Sequence, residues 1–312
     1  MKHEPLNFKF QELHRPVLLH EVLEYLNPQE GGVFIDATIN GGGHAKAIVE
    51  RIGKTGRLLG IDRDHELVEK LKVSSFPPKA DPPPADKFHL ICDTFANIKH
   101  IAEEHGFTGV DGILFDLGFS SFHIELSGRG FSFLRDEPLD MRYDTDSGIS
   151  AKDVINKWSE DKLRGILFTL GEERFARRIA RRIIEHRDRR PVETTTELVE
   201  IIRMAVPGSY HRGRIHFATR TFQALRMCVN DELKHVAKGI AEAVSLLATG
   251  GRMAVISFHS GEDRIVKELF REGERNGILR RITKKPVRAL TAECEKNPRS
   301  RSAKLRVAER VI

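Results

Sequence analysis

Apolar positions follow two different periods along the chain. Over residues 17–26 (VLLHEVLEYL) they recur at helical spacing and stop before Pro28, which predicts a helix. Four short apolar runs then each end on an aspartate: VFIDAT at Asp36, RLLGIDRD at Asp62, KFHLICD at Asp93 and DGILFDLG at Asp116. Runs of this length and composition predict buried strands. Helical spacing returns between them over 45–52, 64–72 and 98–105. Strands alternating with helices across short crossovers predict a parallel, doubly wound sheet. Segment 74–86 carries Pro77, Pro78, Pro82, Pro83 and Pro84. Proline lacks a donor and fixes φ, so an exposed loop is expected there.

The alternation stops after Asp116. Residues 124–215 hold no convincing strand pattern and read as helices over 151–158, 161–170, 172–186 and 196–205. Strand signal returns after Gly250-Gly251 as RMAVISF (252–258). A helix over 263–270 and a last strand over 304–311 follow. There is no internal repeat. The expected architecture is α/β: a Rossmann-like sheet formed by residues 1–123 and 216–312, interrupted by an all-helical insertion at 124–215.

Composition narrows the class. Of 312 residues 40% are hydrophobic, enough for a sizeable core. No run approaches the about 18 apolar residues of a membrane span. The N-terminus has no apolar stretch like a signal peptide and is too acidic for a transit peptide. Cys92, Cys228 and Cys294 are far apart and odd in number, so neither a zinc pattern nor a disulfide framework is expected. They read as reduced thiols of a cytoplasmic protein, and no metal is expected. The net charge of +6 is unevenly spread, with arginine dense over 173–191 and 296–306. Such stretches suit a polyanion such as nucleic acid, or serve as a solvated face.

Open α/β sheets bind ligands at the carboxyl ends of their strands. Asn40-Gly41-Gly42-Gly43-His44 follows the first strand there. The spacing G-x-G-x-x-G is not met and no Gly-Lys-Ser/Thr follows, which argues for a cofactor without a pyrophosphate. S-adenosylmethionine fits. Asp62 ends the second strand, where an acid would take the ribose diol. Phe95 follows the third, where a ring would stack on the adenine. Asp116 ends the fourth, beside the methionine moiety and the reacting methyl. Each has a plainer reading: Asp36 and Asp93 as turn formers, Asp62 as a helix cap, Phe95 as core, Asp116 as a turn carboxylate.

Longer blocks carry a resemblance. They are HRPVLLHEVL, DATINGGGHA, LLGIDRD, DGILFDLGFSS, RGFSF followed by PLDMR, LGEERFARRIA, ATRTFQALRMCVN, ATGGRMAVISFHSGEDRIVK and NPRSRSAKLR, spanning His14 to Arg310. Together they resemble the bacterial MraW-type 16S ribosomal RNA (cytosine-N4) methyltransferase family. The resemblance implies a class I methyltransferase that moves a methyl group from S-adenosylmethionine to the exocyclic amine of a cytidine in the decoding region. The family holds its cofactor at positions matching Gly42, Gly43, His44, Asp62, Phe95, Asp116 and His123. Asn40 stands where glycine is common, His123 where glutamine is frequent, and Gly261 where leucine is common.

Amino-methyltransferases often carry an Asn/Asp-Pro-Pro-aromatic loop after the fourth strand, whereas this chain has Asp116-Leu117-Gly118-Phe119-Ser120-Ser121. Asp116 is therefore expected to orient or deprotonate the amine, with Ser120 and Ser121 shaping the pocket. His259 lines the pocket or is a core histidine. Arg129, Phe131 and Arg142 lie in loops that face substrate or pack internally. Phe175, Ile179 and Ile183 form one apolar helical stripe. Arg177 and Arg181 lie off it, and with Arg299 and Arg301 they are candidates for phosphate contacts. The expected partner is 16S ribosomal RNA or the small ribosomal subunit, with a homodimer left open. Two further readings stay open: methylation of another amine such as DNA cytosine, and a non-catalytic RNA-binding platform. A nicotinamide dehydrogenase is disfavoured by the glycine spacing.

Overall fold

The structure, a computed structural model, describes residues 15–73, 87–118, 120–146, 148–213 and 215–312. The proline loop expected at 74–86 lies outside the described residues. The chain divides into two compact units: one runs to Ser120 and resumes over Leu233–Ile312, and the other is Ser121–Glu232.

The first unit opens with α1 (Leu19–Leu26), β1 (Val33–Asp36), α2 (Gly43–Ile52), β2 (Arg57–Asp62), α3 (His65–Val73), β3 (Phe88–Cys92), α4 (Ile98–Glu104) and β4 (Val110–Asp116). Three of the four expected strands end on their aspartate, and Asp93 lies one residue past β3. Parallel strands covered on both faces need near-continuous apolar runs. Phe34, Ile35, Leu58, Leu59, Ile113, Leu114 and Phe115 meet that need and are all buried.

The second unit holds α5 (Ser121–Glu125), α6 (Ala151–Lys157), α7 (Glu160–Thr169), α8 (Ala176–Arg187), α9 (Thr195–Ala205), α10 (Gly208–His211) and α11 (Thr219–Val229), and all of them but α5 pack on one core. Ile179 and Ile183 of the expected stripe lie in that core with Leu163, Leu198 and Leu225. The helix expected from 172 starts at Ala176, because Glu172 takes a left-handed φ of 49° and the Glu173 carboxylate accepts from the Phe175 N–H. The insertion expected to end at 215 continues to Glu232, since α11 sets Phe222, Ala224 and Leu225 into the same apolar cluster.

The chain then returns to the first unit through α12 (Glu232–Ala243), β5 (Leu247–Ser257), α13 (Ser260–Arg275), β6 (Leu279–Arg281), α14 (Thr291–Lys296) and β7 (Lys304–Arg310). The seven strands form one sheet in the order β3-β2-β1-β4-β5-β7-β6. The first five are parallel, and β7 runs antiparallel to both β5 and β6. This is the doubly wound, Rossmann-like sheet expected, with a C-terminal strand inserted between two earlier ones.

Candidate active site

β1 and β4 are neighbours, yet the chain leaves them towards opposite edges of the sheet. Crossovers that diverge in this way open a crevice at the carboxyl ends of the two strands. Asp36 and Asp116 are the last residues of β1 and β4.

The loop after β1 is fixed by its own side chains. The Thr38 N–H donates to Asp36 Oδ1 at 3.1 Å, and Thr38 Oγ1 accepts from the Asp116 N–H at 2.6 Å. Asn40 takes a left-handed φ of 48°, which asparagine tolerates better than most residues. Its N–H donates to Asp62 Oδ2 at 3.0 Å, and its Nδ2 donates to the Asp116 carbonyl at 3.1 Å. One asparagine therefore ties the first turn to the ends of β2 and β4. Gly42 follows with φ 76° as the residue before α2, so the helix begins inside the glycine turn, at Gly43 and His44. The first N–H groups of a helix lack intrahelical acceptors and suit an electron-rich ligand.

Asp62 accepts at both oxygens, from the Asn40 N–H and, at 3.0 Å, from the Asp64 N–H. It is not the cap of α3: Asp64 accepts from the Leu67 N–H and does that work. Asp93 forms a turn, its Oδ1 accepting from the Thr94 N–H and from Asn97 Nδ2. That turn presents Phe95, which is half-buried and stands edge-on to Phe115 with centroids 5.7 Å apart. A Cβ on Gly239 would lie 2.7 Å from the Phe95 ring, so α12 approaches that ring as closely as only glycine allows.

Asp36, Asp62 and Asp116 are 1%, 9% and 5% exposed. Loss of water is the largest influence on each and pushes each carboxyl up to about 7. Arg299, half-buried in the 3-10 turn Pro298–Ser302, opposes this at Asp116. His44 is also buried, and burial holds its ring below the ordinary imidazole value against the pull of Asp36, the Val17 carbonyl and Glu293. Its Nε2 lies 3.0 Å from the Val17 carbonyl, and its Nδ1 lies 3.6 Å from Asp116 Oδ2. The other Asp116 oxygen, Oδ1, is buried with no hydrogen-bond partner among the described residues.

The remaining candidates are distributed over both units. Ser120 is buried four residues after Asp116. Phe119 and the Ser121 side chain lie outside the described residues. His259 caps α13: its Nδ1 accepts from the Glu262 N–H, and Glu262 accepts from the Phe258 N–H in return. Arg301 is exposed. In the second unit His123 is buried against Phe122, Phe131 and Tyr143, and Phe131 stacks on Tyr143 at 5.3 Å. Arg129 donates to the Tyr143 carbonyl at 3.0 Å, while Arg142 makes a two-pronged ion pair with Asp140. Arg177 and Arg181 are exposed on α8, and Arg181 pairs with Glu185 at 3.0 Å.

Sequence reasoning missed Thr38, the side-chain role of Asn40, and Glu293, which accepts from the Leu18 N–H at 2.8 Å. It also missed the buried pair of Arg226 and Glu232, joined by the Tyr143 hydroxyl. Only Thr38 and Asn40 had a local signal, lying within the same turn as Asp36 and the glycines.

The family described as the MraW methylase family matches residues 11–311. Ribosomal RNA small subunit methyltransferase H of Halothermothrix orenii is 44% identical over 316 residues, covering 96% of this chain and 99% of that protein. The protein of the same name from Geobacter sp. (strain M21) is 45% identical over 315 residues, covering 96% and 98%. Among solved structures, an rRNA methylase from Streptococcus thermophilus aligns with 96% of this chain and 98% of its own at a TM-score of 0.45 and 11% identity.

Proposed function

The chain belongs to the MraW methylase family, and we propose that it methylates the N4 amine of a cytidine in the decoding region of 16S ribosomal RNA. It is a methyltransferase dependent on S-adenosylmethionine, which supplies an electrophilic methyl group on a sulfonium centre. The small-subunit ribosomal RNA substrate is the reading that its relatives' names support. A ribosomal RNA partner puts the work in the cytoplasm. No helix among the described residues is long and apolar enough to cross a membrane.

The residues at the carboxyl ends of the strands fit that cofactor. The backbone at Gly43 and His44 would offer helix-start N–H groups to its carboxylate, and Gly42, whose own N–H donates to the Ile39 carbonyl, supplies the left-handed turn that leads into them. Asp62 would accept from the ribose hydroxyls, and Phe95 would lie against the adenine. Asp116 is the group we assign to the target. Cytosine's exocyclic amine is a poor nucleophile because its lone pair is delocalised into the ring. An acceptor for its N–H both orients the amine and takes up its growing acidity. The observation that carries this assignment is Asp116 Oδ1, an acceptor buried without a partner among the described residues at the mouth of the crevice. An unsatisfied buried acceptor costs about 1–3 kcal/mol, and a bound N–H donor would offset that cost. Ser120, which is buried, and Ser121, by its place in the sequence alone, are assigned to the surroundings of that amine. His259 holds the first turn of α13 beside the carboxyl end of β5. Arg129, Phe131 and Arg142 shape substrate-facing loops, while Arg177, Arg181, Arg299 and Arg301 meet RNA phosphates without reading bases.

The test is Asp116→Ala with purified small subunits and labelled cofactor. Turnover should fall at least about 100-fold, as expected for loss of a general base. Mass mapping of the ribosomal RNA should find one methyl lost from a decoding-site cytidine. Retained turnover by a folded variant would remove Asp116 from this role.

A further inference from the structure

We propose that His44 is the proton-accepting partner of Asp116 during methyl transfer, and that its ring does not contact the cofactor. The inference rests on the reading above, in which Asp116 faces the target amine.

One ring nitrogen is committed and the other is turned to Asp116. Nε2 points at a backbone carbonyl, Val17 O at 3.0 Å, and only an N–H can bond there. That carbonyl is held in place, because the next residue, Leu18, donates to Glu293 Oε1 and the Arg15 carbonyl accepts from Asn297 Nδ2. The proton therefore sits on Nε2, and in the neutral ring Nδ1 is a lone pair. It faces Asp116 Oδ2 at 3.6 Å. A lone pair opposite a carboxylate repels it, whereas a lone pair opposite a carboxylic acid attracts its O–H, and the two need to close from 3.6 Å to ordinary hydrogen-bond distance for a proton to pass. Asp116 is then best described as an acid with its proton on Oδ2 towards Nδ1 and with Oδ1 as an open acceptor. Burial favours that protonated form below about pH 7. With Nε2 on the Val17 carbonyl and Nδ1 turned to Asp116, a cofactor contact at this position is assigned to the backbone.

The arrangement moves one proton across the carboxyl group. Once the amine nitrogen has formed its new bond to carbon, it bears a positive charge and an acidic N–H. That proton passes to Asp116 Oδ1 as the proton on Oδ2 passes to His44 Nδ1. The carboxyl group stays neutral, the amine becomes neutral, and the positive charge ends on the imidazolium. The titratable groups acting on the ring are Asp36 and Glu293, with Asp116 facing it at 3.6 Å; those acting on Asp116 are Arg299 and Glu262, and Asp36 in turn feels Asp62. Asp36 and Glu293 pull the ring towards its charged form against the larger effect of burial, so the imidazolium holds the proton only until it is passed on. His44 is thus a positioning residue that works through Asp116.

His44→Gln tests this, since the glutamine amide keeps a donor for the Val17 carbonyl and deletes Nδ1. At saturating cofactor, kcat on small subunits should fall at least about 10-fold. The KM for S-adenosylmethionine should stay within about twofold if the ring does not touch the cofactor. The wild-type kcat should decline on an acid limb below the ordinary histidine range, where a charged ring can accept nothing, and His44→Gln should lose that limb. A second readout needs no turnover. Nitrogen NMR of the wild-type protein without cofactor should show the Nε2–H tautomer, with an Nδ1 signal that Asp116→Asn displaces. A protonated Nδ1 in the neutral ring, or an Nδ1 signal indifferent to Asp116→Asn, overturns the inference. So does a His44→Gln enzyme with wild-type kcat and acid limb while Asp116→Asn is dead, an outcome that leaves the reading of Asp116 standing. An active Asp116→Asn enzyme overturns both.

Discussion

Asp36, Asp62 and Asp116 each surrender hydration on folding, and each titrates at about 7 instead of near 3.8. The folded chain therefore binds these protons more tightly than the unfolded chain. For a carboxyl raised in this way the stabilisation is full below the unfolded value and is lost as pH climbs towards the folded one. The protein without cofactor should accordingly lose thermal stability between about pH 4 and pH 7 from these groups. Asp116→Asn, a neutral side chain of the same shape, should flatten that slope and raise Tm at pH 7.5 by a few degrees, about 1–3 kcal/mol, while abolishing turnover. Calorimetric scans at several pH values decide it, and an unchanged slope would mean that Asp116 is not desolvated. Asp62 has a different task, because both its oxygens already hold backbone donors. Asp62→Asn exchanges one acceptor for a donor, and S-adenosylmethionine binding by titration calorimetry should weaken about 10–100-fold. The aspartates were legible in the sequence because each closes an apolar run. The pairing of His44 with Asp116 was not, since it depends on a carbonyl at Val17 and a carboxylate at Glu293 that only the folded chain brings near.

Elements were legible where periodicity was strong and punctuation agreed with it. Strands β1, β2 and β4 and helices α6, α7 and α9 lie within a residue or two of their expected spans. Several elements had no expected span, and three of them show why. The stretch that forms α12 contains Gly239, which reads as a helix breaker but is required by the approach to Phe95. The start of α11 has no side-chain cap, so the usual N-terminal signal is missing. β6 is three residues long with one buried, too short for any period to register. On α8 the apolar stripe is satisfied inside the second unit, which leaves its arginines to be explained by charge. Arg177→Glu should weaken binding of small-subunit RNA about 3–10-fold and reduce the slope of log affinity against log salt by about 1, with Tm unchanged. Arg181→Glu should cost less, because Glu185 already neutralises part of that charge. Filter binding at three salt concentrations measures both, and equal wild-type affinity for Arg177→Glu would return this face to plain solvation.

At the scale of the whole chain, the parallel half of the sheet followed from the sequence because β-α-β crossovers have one favoured hand and pack neighbouring strands. The other half did not follow. A last strand over 304–311 was expected, but nothing local says that it slots antiparallel between β5 and β6. Its place is set by groups distant in sequence: Arg252 and Arg280 both pair with Glu309, and Asp263 pairs with Lys304 and Arg306. Leu305, Val307 and Ala308 are fully buried. The insertion has a consequence for the site. β4 pairs with β5 through Asp116 and Ile256, and the Leu117 N–H donates to the Ile256 carbonyl at 3.0 Å. The strand that carries Asp116 thus leans on β5, and β5 leans on β7. Removing residues 304–312 should leave β5 with an unpaired edge and an opened apolar face, giving a chain that aggregates on expression. Removing only Val311 and Ile312, which are exposed, should cost less than about 1 kcal/mol in urea unfolding and leave turnover intact. Val307→Asp sets an unpaired charge among apolar residues and should destabilise by more than about 3 kcal/mol. If the chain ending at residue 303 instead stays soluble, unfolds cooperatively and methylates its substrate, β7 is a cover on the sheet and Asp116 is held by β1 and β5 alone.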